Sequence, residues 1–403
     1  MTSSSGGNWL GDGEQIFSGP AEHDGNLYQS KKIGGVGINY VGNKKRILLP
    51  MGRFLWDEHV RFSSVTDLFG GSGAVSYYFA MLGKDVVYND ILASSATQAQ
   101  CLLAGVQCPI SESEWVALAR KDGGSGRGFV AQNYVGRFFT EAEASFLDGY
   151  RANVEQMYGG VFAGRLPGQS GGRVVWLGDQ AAEKSSAPSS VFKAQYAIYA
   201  MIRHINDRCF LGGRYYNGQT LAKLGHRLEH VRNGGEELQS SFAATTRKLR
   251  FPKYPQGTRR TVYNCDAGAL LRSGESASDL LYIDPPYGGD SSDYVALYQF
   301  VEEYLFGACL QDVCGGHTAA DGSKFSSRKD YAKNFSDILG DAAGHKAWLI
   351  SFNASSFATL DEILDMVKGH RTRVTHKAIP ISYKYRKDRG GATDSEFIIL
   401  AED

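Results

Sequence analysis

The sequence has few cysteines, and none has the spacing of a metal-binding pair. Six cysteines occur among 403 residues, and no two of them form a Cys-x-x-Cys pair. A zinc ribbon therefore has no support, and a disulfide scaffold would need a much higher cysteine density. We expect reduced thiols, as in cytoplasmic proteins, and no bound metal.

Long apolar runs and an excess of one charge are also missing. No apolar run approaches the ~20 residues that span a bilayer, and residues 1–15 lack the basic start and apolar core of a signal peptide. Lysine and arginine total 43, as do aspartate and glutamate. This balance excludes polyanion binding over the whole surface and leaves a local basic groove open. We predict a globular cytoplasmic protein.

Short apolar segments and helical patterns form two blocks separated by a middle region of different character. The first block has predicted strands at 65–69 and 85–88 around a helix at 74–82, and the second has predicted strands at 261–265, 280–283, 346–352 and 396–400. Strand, glycine turn, helix and strand in that order are typical of a parallel β/α unit. The fold class predicted here is therefore α/β.

The spacing of the two blocks predicts three regions. Residues 1–30 are rich in glycine and serine and are interpreted as a flexible tail. Residues 96–254 are too many for a crossover within one sheet, and helical patterns at 141–157 and 192–208 predict a mainly helical inserted domain. Residues 31–95 plus 255–403 would then form the catalytic domain.

A glycine-rich turn lies between the first predicted strand and the first predicted helix. Phe69-Gly70-Gly71-Ser72-Gly73 would let a ligand approach the backbone at a helix N-terminus. Asp90 ends the next predicted strand, where an acid typically accepts hydrogen bonds from the ribose hydroxyls of a nucleoside cofactor. The alternatives are a turn that is merely tightly packed and a solvated loop aspartate.

A second motif, Asp284-Pro285-Pro286-Tyr287, follows the predicted strand at 280–283. Two prolines cannot continue a sheet interior, so the chain must leave the sheet there in a stiff turn. The turn would present the Asp284 carboxylate, the Pro285 carbonyl and the Tyr287 ring, which together suit a planar group with an amino nitrogen. The alternative is a rigid structural turn.

These motifs, in this order and preceded by Tyr40-Val41-Gly42-Asn43-Lys44, resemble the adenine-N6 DNA methyltransferases of the Dam-like class (class alpha). The resemblance covers residues 33–95 and 258–403, and the middle matches in position more than in sequence. It implies a Rossmann-like mixed sheet with helices on both faces. It also implies S-adenosylmethionine as the cofactor and an inserted target-recognition domain.

The resemblance also implies roles for individual residues. Cofactor contacts would come from Tyr40, Lys44, Asp67, Phe69, Gly70, Gly71, Gly73, Asp90 and Asp266. In the catalytic motif of residues 284–287, Asp284 and Pro285 would hold the target amino group and Tyr287 would stack on the base, with Pro286 completing the turn. Tyr294 and Tyr298 have the spacing of the loop that folds over the target base. The family often has tryptophan where this chain has Tyr40.

Two local concentrations of basic residues are candidates for phosphate contacts. The candidates in 240–260 and 371–389 are Arg247, Lys248, Arg250, Lys253, Arg259, Arg260, Lys384 and Arg386. Two solvated loops are the alternative. Further candidates in the insertion are Arg203, Arg208, Arg214 and Arg227 with Tyr215 and Tyr216. His226 and His230, four residues apart, are interpreted as a surface pair, since a metal site would need more ligands.

Other methylation chemistries fit the sequence less well. Cytosine C5 methylation uses a cysteine nucleophile, usually after proline, and no Pro-Cys dipeptide occurs. Cytosine N4 enzymes tend to have serine where Asp284 stands, and protein glutamine methyltransferases usually have asparagine there.

The function predicted is therefore methyl transfer from S-adenosylmethionine to N6 of a flipped-out adenine in double-stranded DNA. The alternatives are a non-catalytic nucleic-acid-binding subunit and an RNA adenine methyltransferase. We expect a monomer. The resemblance alone implies a bacterial or phage origin and a modification or restriction-linked role, in which any cleavage would need a separate restriction endonuclease.

Overall fold

The computed structural model describes residues 44–120, 128–159, 175–177, 190–209, 234–288, 294–309, 325, 327–354, 356–381 and 394–403. The predicted tail lies outside these residues. So do several predicted site residues, namely Tyr40, Arg214, Tyr215, Tyr216, His226, Arg227, His230, Lys384 and Arg386, together with the side chain of Arg208.

One eight-stranded mixed sheet organises the described residues. Its strands are β1 (Ser64–Asp67), β2 (Asp85–Asn89), β3 (Val175–Leu177), β4 (Arg260–Tyr263), β5 (Leu280–Ile283), β6 (Ala347–Asn353), β7 (Arg373–Ile381) and β8 (Asp394–Glu402). The strand order is β3-β4-β2-β1-β5-β6-β8-β7. The five neighbouring strands β4, β2, β1, β5 and β6 run parallel to one another. Strands β3, β7 and β8 pair antiparallel with their neighbours.

Helices cover both faces of this sheet. One face carries α1 (Leu48–Asp57), α2 (Ala74–Met81) and α3 (Ala93–Leu103), and the other carries α9 (Ala267–Ser273), α12 (Arg328–Asp341) and α13 (Leu360–Lys368). Successive strand residues point to opposite faces, so Leu280 packs in the first core and Leu281 in the second. The predicted Rossmann-like α/β fold is confirmed.

A third core is built mainly from the helices between α3 and β4. They are α4 (Glu112–Leu118), α5 (Phe129–Asn133), α6 (Glu141–Tyr158), α7 (Ser190–Cys209) and α8 (Leu238–Lys248). Thr140 and Glu143 form a capping box that starts α6. This core also takes in α10 (Tyr294–Leu297) and α11 (Gln299–Phe306), which follow the proline turn.

Two segments therefore cross the boundaries that the sequence predicts. β3 comes from the predicted insertion but extends the sheet through β4, and α10 and α11 come from the predicted catalytic part but pack with the helical core. The division into domains stays a prediction. No helix among the described residues is long and apolar enough to cross a membrane.

The second basic segment begins on an edge strand rather than in a loop. Among the described strands, β7 pairs with β8 alone and ends the sheet. Charged side chains on such an edge strand discourage pairing with another chain. Arg373 bonds Glu58 and Glu402, and Lys377 lies 3.7 Å from Asp57. The alternative that residues 371–389 form a solvated loop is therefore wrong for 373–381, which form a strand.

Candidate active site

A cavity of about 390 Å³ opens where the parallel strands β2, β1 and β5 end. Carboxyl ends of strands are where open α/β sheets place ligands. Most of the predicted cofactor and catalytic residues line it: Lys44, Asp67, Phe69, Gly70, Gly71, Asp90, Asp266, Asp284, Pro285, Pro286 and Tyr287. Helix α12 contributes Lys333 and Asp337 to the wall. The glycine turn and the proline turn therefore face the same space.

The glycine turn is shaped by packing as well as by access to the cavity. A Cβ atom on Gly70 would lie 2.1 Å from the ring of Tyr88, whose hydroxyl donates to the Gly71 carbonyl at 2.8 Å. Gly73 has φ 71° at the start of α2 and is not among the cavity-lining residues. Gly70 is therefore tightly packed, as one alternative for the glycine turn predicted, and it also lines the cavity.

The two carboxylate oxygens of Asp67 differ in their hydrogen bonding. Oδ2 accepts from the backbone N–H and hydroxyl of Ser76 at 3.1 and 2.7 Å, whereas Oδ1 has no hydrogen-bond partner among the described residues. The side chain is 1% exposed, and burial raises its pKa to about 7. A buried acceptor without a partner at a cavity wall suits a cationic ligand group.

Asp90 holds the turn as well as facing the cavity. Its carboxylate accepts from Gly71 N at 2.7 Å and Leu92 N at 2.8 Å, and burial raises its pKa to about 6. These bonds show that Asp90 is not a solvated loop residue. Each oxygen keeps a further lone pair, which suits the predicted contact to ribose hydroxyls.

The proline turn places Asp284 in a network of buried polar side chains. Its Oδ1 accepts from Tyr287 Oη at 2.6 Å and Ser351 Oγ at 3.0 Å, and its Oδ2 lies 2.9 Å from Lys44 Nζ. A second carboxylate, Glu396, lies 3.0 Å from the same ammonium. The predicted cofactor contact of Lys44 would therefore compete with two carboxylates, one of them in the catalytic motif.

The network raises the pKa values of Asp284, Lys44 and Tyr287, but for different reasons. Burial raises the pKa of Asp284, while the nearby charge of Lys44 opposes that rise. Burial alone would lower the pKa of Lys44, but the charges of Asp284 and Glu396 more than offset it and raise that pKa. Burial also raises the pKa of Tyr287. Lys44 therefore stays protonated and keeps the buried carboxylates compatible with folding.

Sequence patterns do not identify Ser351 and Glu396 as part of the site. Ser351 lies within the buried strand β6, and Glu396 lies near the start of β8, which pairs antiparallel with β6. A glutamate before the apolar Phe397-Ile398-Ile399-Leu400 is the only sequence signal. To recognise that these two polar residues belong to the site, one would need the register of their strands, which a local pattern does not give.

The segment after the proline turn joins the site to the helical core. Tyr294 lines the cavity, whereas Tyr298 is 1% exposed and is buried in the helical core. The Glu302 carboxylate accepts from Ala93 N and Ser94 N at 2.9 and 2.8 Å, which ties α11 to the start of α3. The expectation that Tyr298 folds over a target base is therefore wrong in this conformation.

Two of the predicted phosphate contacts lie away from the cavity. Arg260 is 3% exposed, its Nε donates to the Leu103 carbonyl at 2.8 Å, and its guanidinium lies over the Tyr254 ring. Arg259 pairs with Asp85 at 3.0 Å, where β2 and β4 begin rather than end. The prediction for Arg260 is wrong, since its side chain is buried. The phosphate contact of Arg259 stays a prediction, and its position at the opposite edge of the sheet argues against it.

The other described candidates have different surroundings. Arg247, Lys248, Arg250 and Lys253 are exposed and stay predicted phosphate contacts. Arg203 lies in α7 and pairs with Asp207 at 2.9 Å. Asp266 caps α9 by accepting from Ala269 N at 3.1 Å and lines the cavity. Among the described residues, no cluster of His, Cys, Asp and Glu has the composition of a metal site.

Comparison with known proteins gives two relatives and no match to a family model. The chain is 24% identical over 370 residues to the Type II methyltransferase M2.HphI of Haemophilus parahaemolyticus, covering 91% of this chain and 97% of that protein. It is 21% identical over 357 residues to the modification methylase LlaI of Lactococcus lactis subsp. lactis, covering 82% of this chain and 48% of that protein. The resemblance to DNA methyltransferases that the motifs predict is confirmed, while its adenine specificity stays a prediction.

Proposed function

We propose that this chain, a relative of the Type II methyltransferases, is a site-specific DNA methyltransferase that modifies N6 of an adenine in double-stranded DNA. The methyl donor would be S-adenosylmethionine, and the target adenine would leave the helix to enter the cavity. Rotation of a base out of the duplex costs a few kcal/mol of stacking.

The single observation that supports this proposal most is the shared cavity. The glycine turn and Asp90 line it together with Asp284 and Pro285. A cofactor held at the first pair and an amino group held at the second would lie in one water-poor space. Methyl transfer needs such in-line alignment more than it needs an acid or a base, because positioning alone can supply much of the rate.

The residues of the proline turn suit an exocyclic amino group. The lone pair of adenine N6 is delocalised into the ring, which makes this nitrogen a weak nucleophile. Hydrogen bonds from its two protons to the Asp284 carboxylate and the Pro285 carbonyl would localise the lone pair. The buried negative charge of Asp284 would also stabilise the positive charge that develops on nitrogen.

The cofactor would find complementary groups at the other end of the cavity. The free Oδ1 of Asp67 suits the ammonium of a methionyl group, and the remaining lone pairs of Asp90 suit ribose hydroxyls. Asp266 and the start of α9 would lie near the adenine ring of the cofactor. S-adenosylmethionine would supply a methyl group already activated on a sulfonium.

The remaining roles follow from the proposed substrate. Residues 96–254 would contain the part that recognises a short DNA sequence, with the catalytic part formed by 31–95 plus 255–403. The protein would act in the cytoplasm as a monomer, and a separate restriction endonuclease would cut the unmodified sequence.

The test is transfer of a labelled methyl group to nucleic acid, followed by digestion to nucleosides and mass spectrometry. The purified chain is incubated with labelled S-adenosylmethionine and either mixed-sequence duplex DNA or RNA. We expect label in N6-methyldeoxyadenosine from the duplex alone. Label only in RNA would favour an RNA adenine methyltransferase, and DNA binding without transfer would favour a non-catalytic subunit.

A further inference from the structure

The carboxylates of Asp284 and Glu396 share their hydrogen-bond donors. Tyr287 Oη, Ser351 Oγ and Lys44 Nζ lie 2.6, 3.0 and 2.9 Å from oxygens of Asp284. The same three atoms lie 3.1, 3.3 and 3.0 Å from a single oxygen of Glu396, Oε1. Every donor is therefore nearer to Asp284, but each is also within reach of Glu396.

This arrangement limits what Asp284 can offer to a substrate. An ionised carboxylate has about four acceptor sites, and three donors already draw on those of Asp284. A target amino group would have to bind an acceptor whose charge is largely shared. If the donors simply left, buried polar hydrogens would lose their partners, which is costly in a low-dielectric site.

We propose that Glu396 is a positioning residue that takes over the donors of Asp284 when the target amino group arrives. The inference rests on the proposed function, because it assumes that Asp284 binds the amino group. The two hydroxyl groups need only rotate their O–H bonds towards Glu396, since each has one proton. Lys44 already contacts both carboxylates. The carboxylate of Asp284 is then available to accept hydrogen bonds from the target amino group.

Burial and charge balance agree with this role. Glu396 is 5% exposed and would be an expensive residue to keep in the interior without a partner. Lys44 supplies one positive charge against two carboxylates, which leaves an excess negative charge in the site. A positive charge that develops on the amino nitrogen would balance that excess. The Lys44 ammonium also lies over the Tyr287 ring, 4.8 Å from its centre.

The test compares Glu396→Gln and Glu396→Asp with the unchanged protein in steady-state methylation of duplex DNA. Glu402→Gln is the matched control, because Glu402 lies at the other end of β8 and pairs with the half-exposed Arg373. For Glu396→Gln we expect kcat to fall roughly 10- to 100-fold, as for the loss of one charge-assisted hydrogen bond. KM for the cofactor should stay within about threefold, and Glu402→Gln should match the unchanged protein in both constants.

The pH dependence of kcat separates positioning from a merely structural role. The charge of Glu396 adds to burial in raising the pKa of Asp284, so Glu396→Gln should move the acid limb of the profile to lower pH. Asp67 and Tyr294 also interact with this group of charges, and both are unchanged in the variants. Glu396→Asp keeps the charge, so its acid limb should stay in place while kcat falls less than in the glutamine variant.

Two results would overturn the inference while leaving the proposed function intact. One is a Glu396→Gln variant with unchanged kcat. The other is a loss of kcat that is equal for glutamine and aspartate and leaves the acid limb in place. If Glu396→Gln does not fold, Glu396→Asp decides, because its shorter side chain should lower kcat while cofactor binding persists. A wild-type protein that transfers no methyl group to DNA would instead overturn the proposed function.

Discussion

Replacement of Asp284 by alanine should separate catalysis from folding. The variant removes the group that would face the developing positive charge, and loss of one such preorganised group costs roughly 10²–10³ in kcat. The fold should tolerate the change. Lys44, Tyr287 and Ser351 all lie within 3.3 Å of Glu396, so no donor loses its last acceptor. Burial also raises the pKa of Asp284, which means that its ionised form opposes folding.

We therefore expect Asp284→Ala to lower the free energy of unfolding by less than about 2 kcal/mol. Affinity for S-adenosylmethionine, measured by calorimetry, should change only a few-fold. Asp279→Ala is the matched control at the amino end of the same strand. Asp279 accepts from the Ser63 backbone at 2.9 Å and from Lys346 at 2.8 Å, so its loss should cost about 1–3 kcal/mol of stability with kcat unchanged. Normal transfer by Asp284→Ala would refute the role of this carboxylate.

Three further predictions test the packing and electrostatics of the site. Gly70→Ala should destabilise the protein by about 1–3 kcal/mol because the new methyl group would meet the Tyr88 ring, whereas Gly340→Ala on α12 has open space and should be neutral or stabilising in urea denaturation. Burial raises the pKa of Glu302 to about 7, so its contribution to stability is present below its unfolded pKa and lost as pH rises towards 7. Glu302→Gln should therefore reduce the fall in stability between pH 5 and 8 by up to about 3 kcal/mol, and an unchanged fall would contradict this. Arg259→Glu should leave DNA affinity nearly unchanged, and a large loss in a titration would return Arg259 to the DNA-binding surface.

The elements that position the cavity could be predicted from local sequence. The strand at 280–283 has the same bounds in sequence and structure, because a run of four apolar residues favours a short buried strand and the prolines that follow Asp284 end it. The glycine turn and Asp90 were also predictable. Each follows directly from a strand end, and parallel strands bring their carboxyl ends together.

The polar network around Asp284 could not be predicted in the same way. Ser351 and Glu396 come from two strands far along the chain, and their meeting depends on the register of β6 against β8. Antiparallel register is a tertiary property, and a shift of β8 by one residue against β6 would turn Glu396 to the other face of the sheet, away from Ser351. Local patterns contain no measure of that register.

Charge counting failed at Arg260 for a related reason. A basic residue in a basic segment predicts an exposed cation, but β4 pairs with β2 and draws this guanidinium under Tyr254 and against the Leu103 carbonyl. Long side chains can bury their stems and heads when backbone acceptors are close. Composition therefore located the segment without showing which of its side chains reach solvent.

The central claim is that the turn at Asp284 and Pro285 holds an adenine amino group beside a cofactor held at the glycine turn. The most direct test is single-molecule sequencing of genomic DNA from a host without other adenine methylation that expresses either the unchanged protein or Asp284→Ala. We predict N6-methyladenine at one short sequence with the unchanged protein and its loss with the variant. Unmodified adenines in both hosts, or modified cytosines in their place, would contradict the claim.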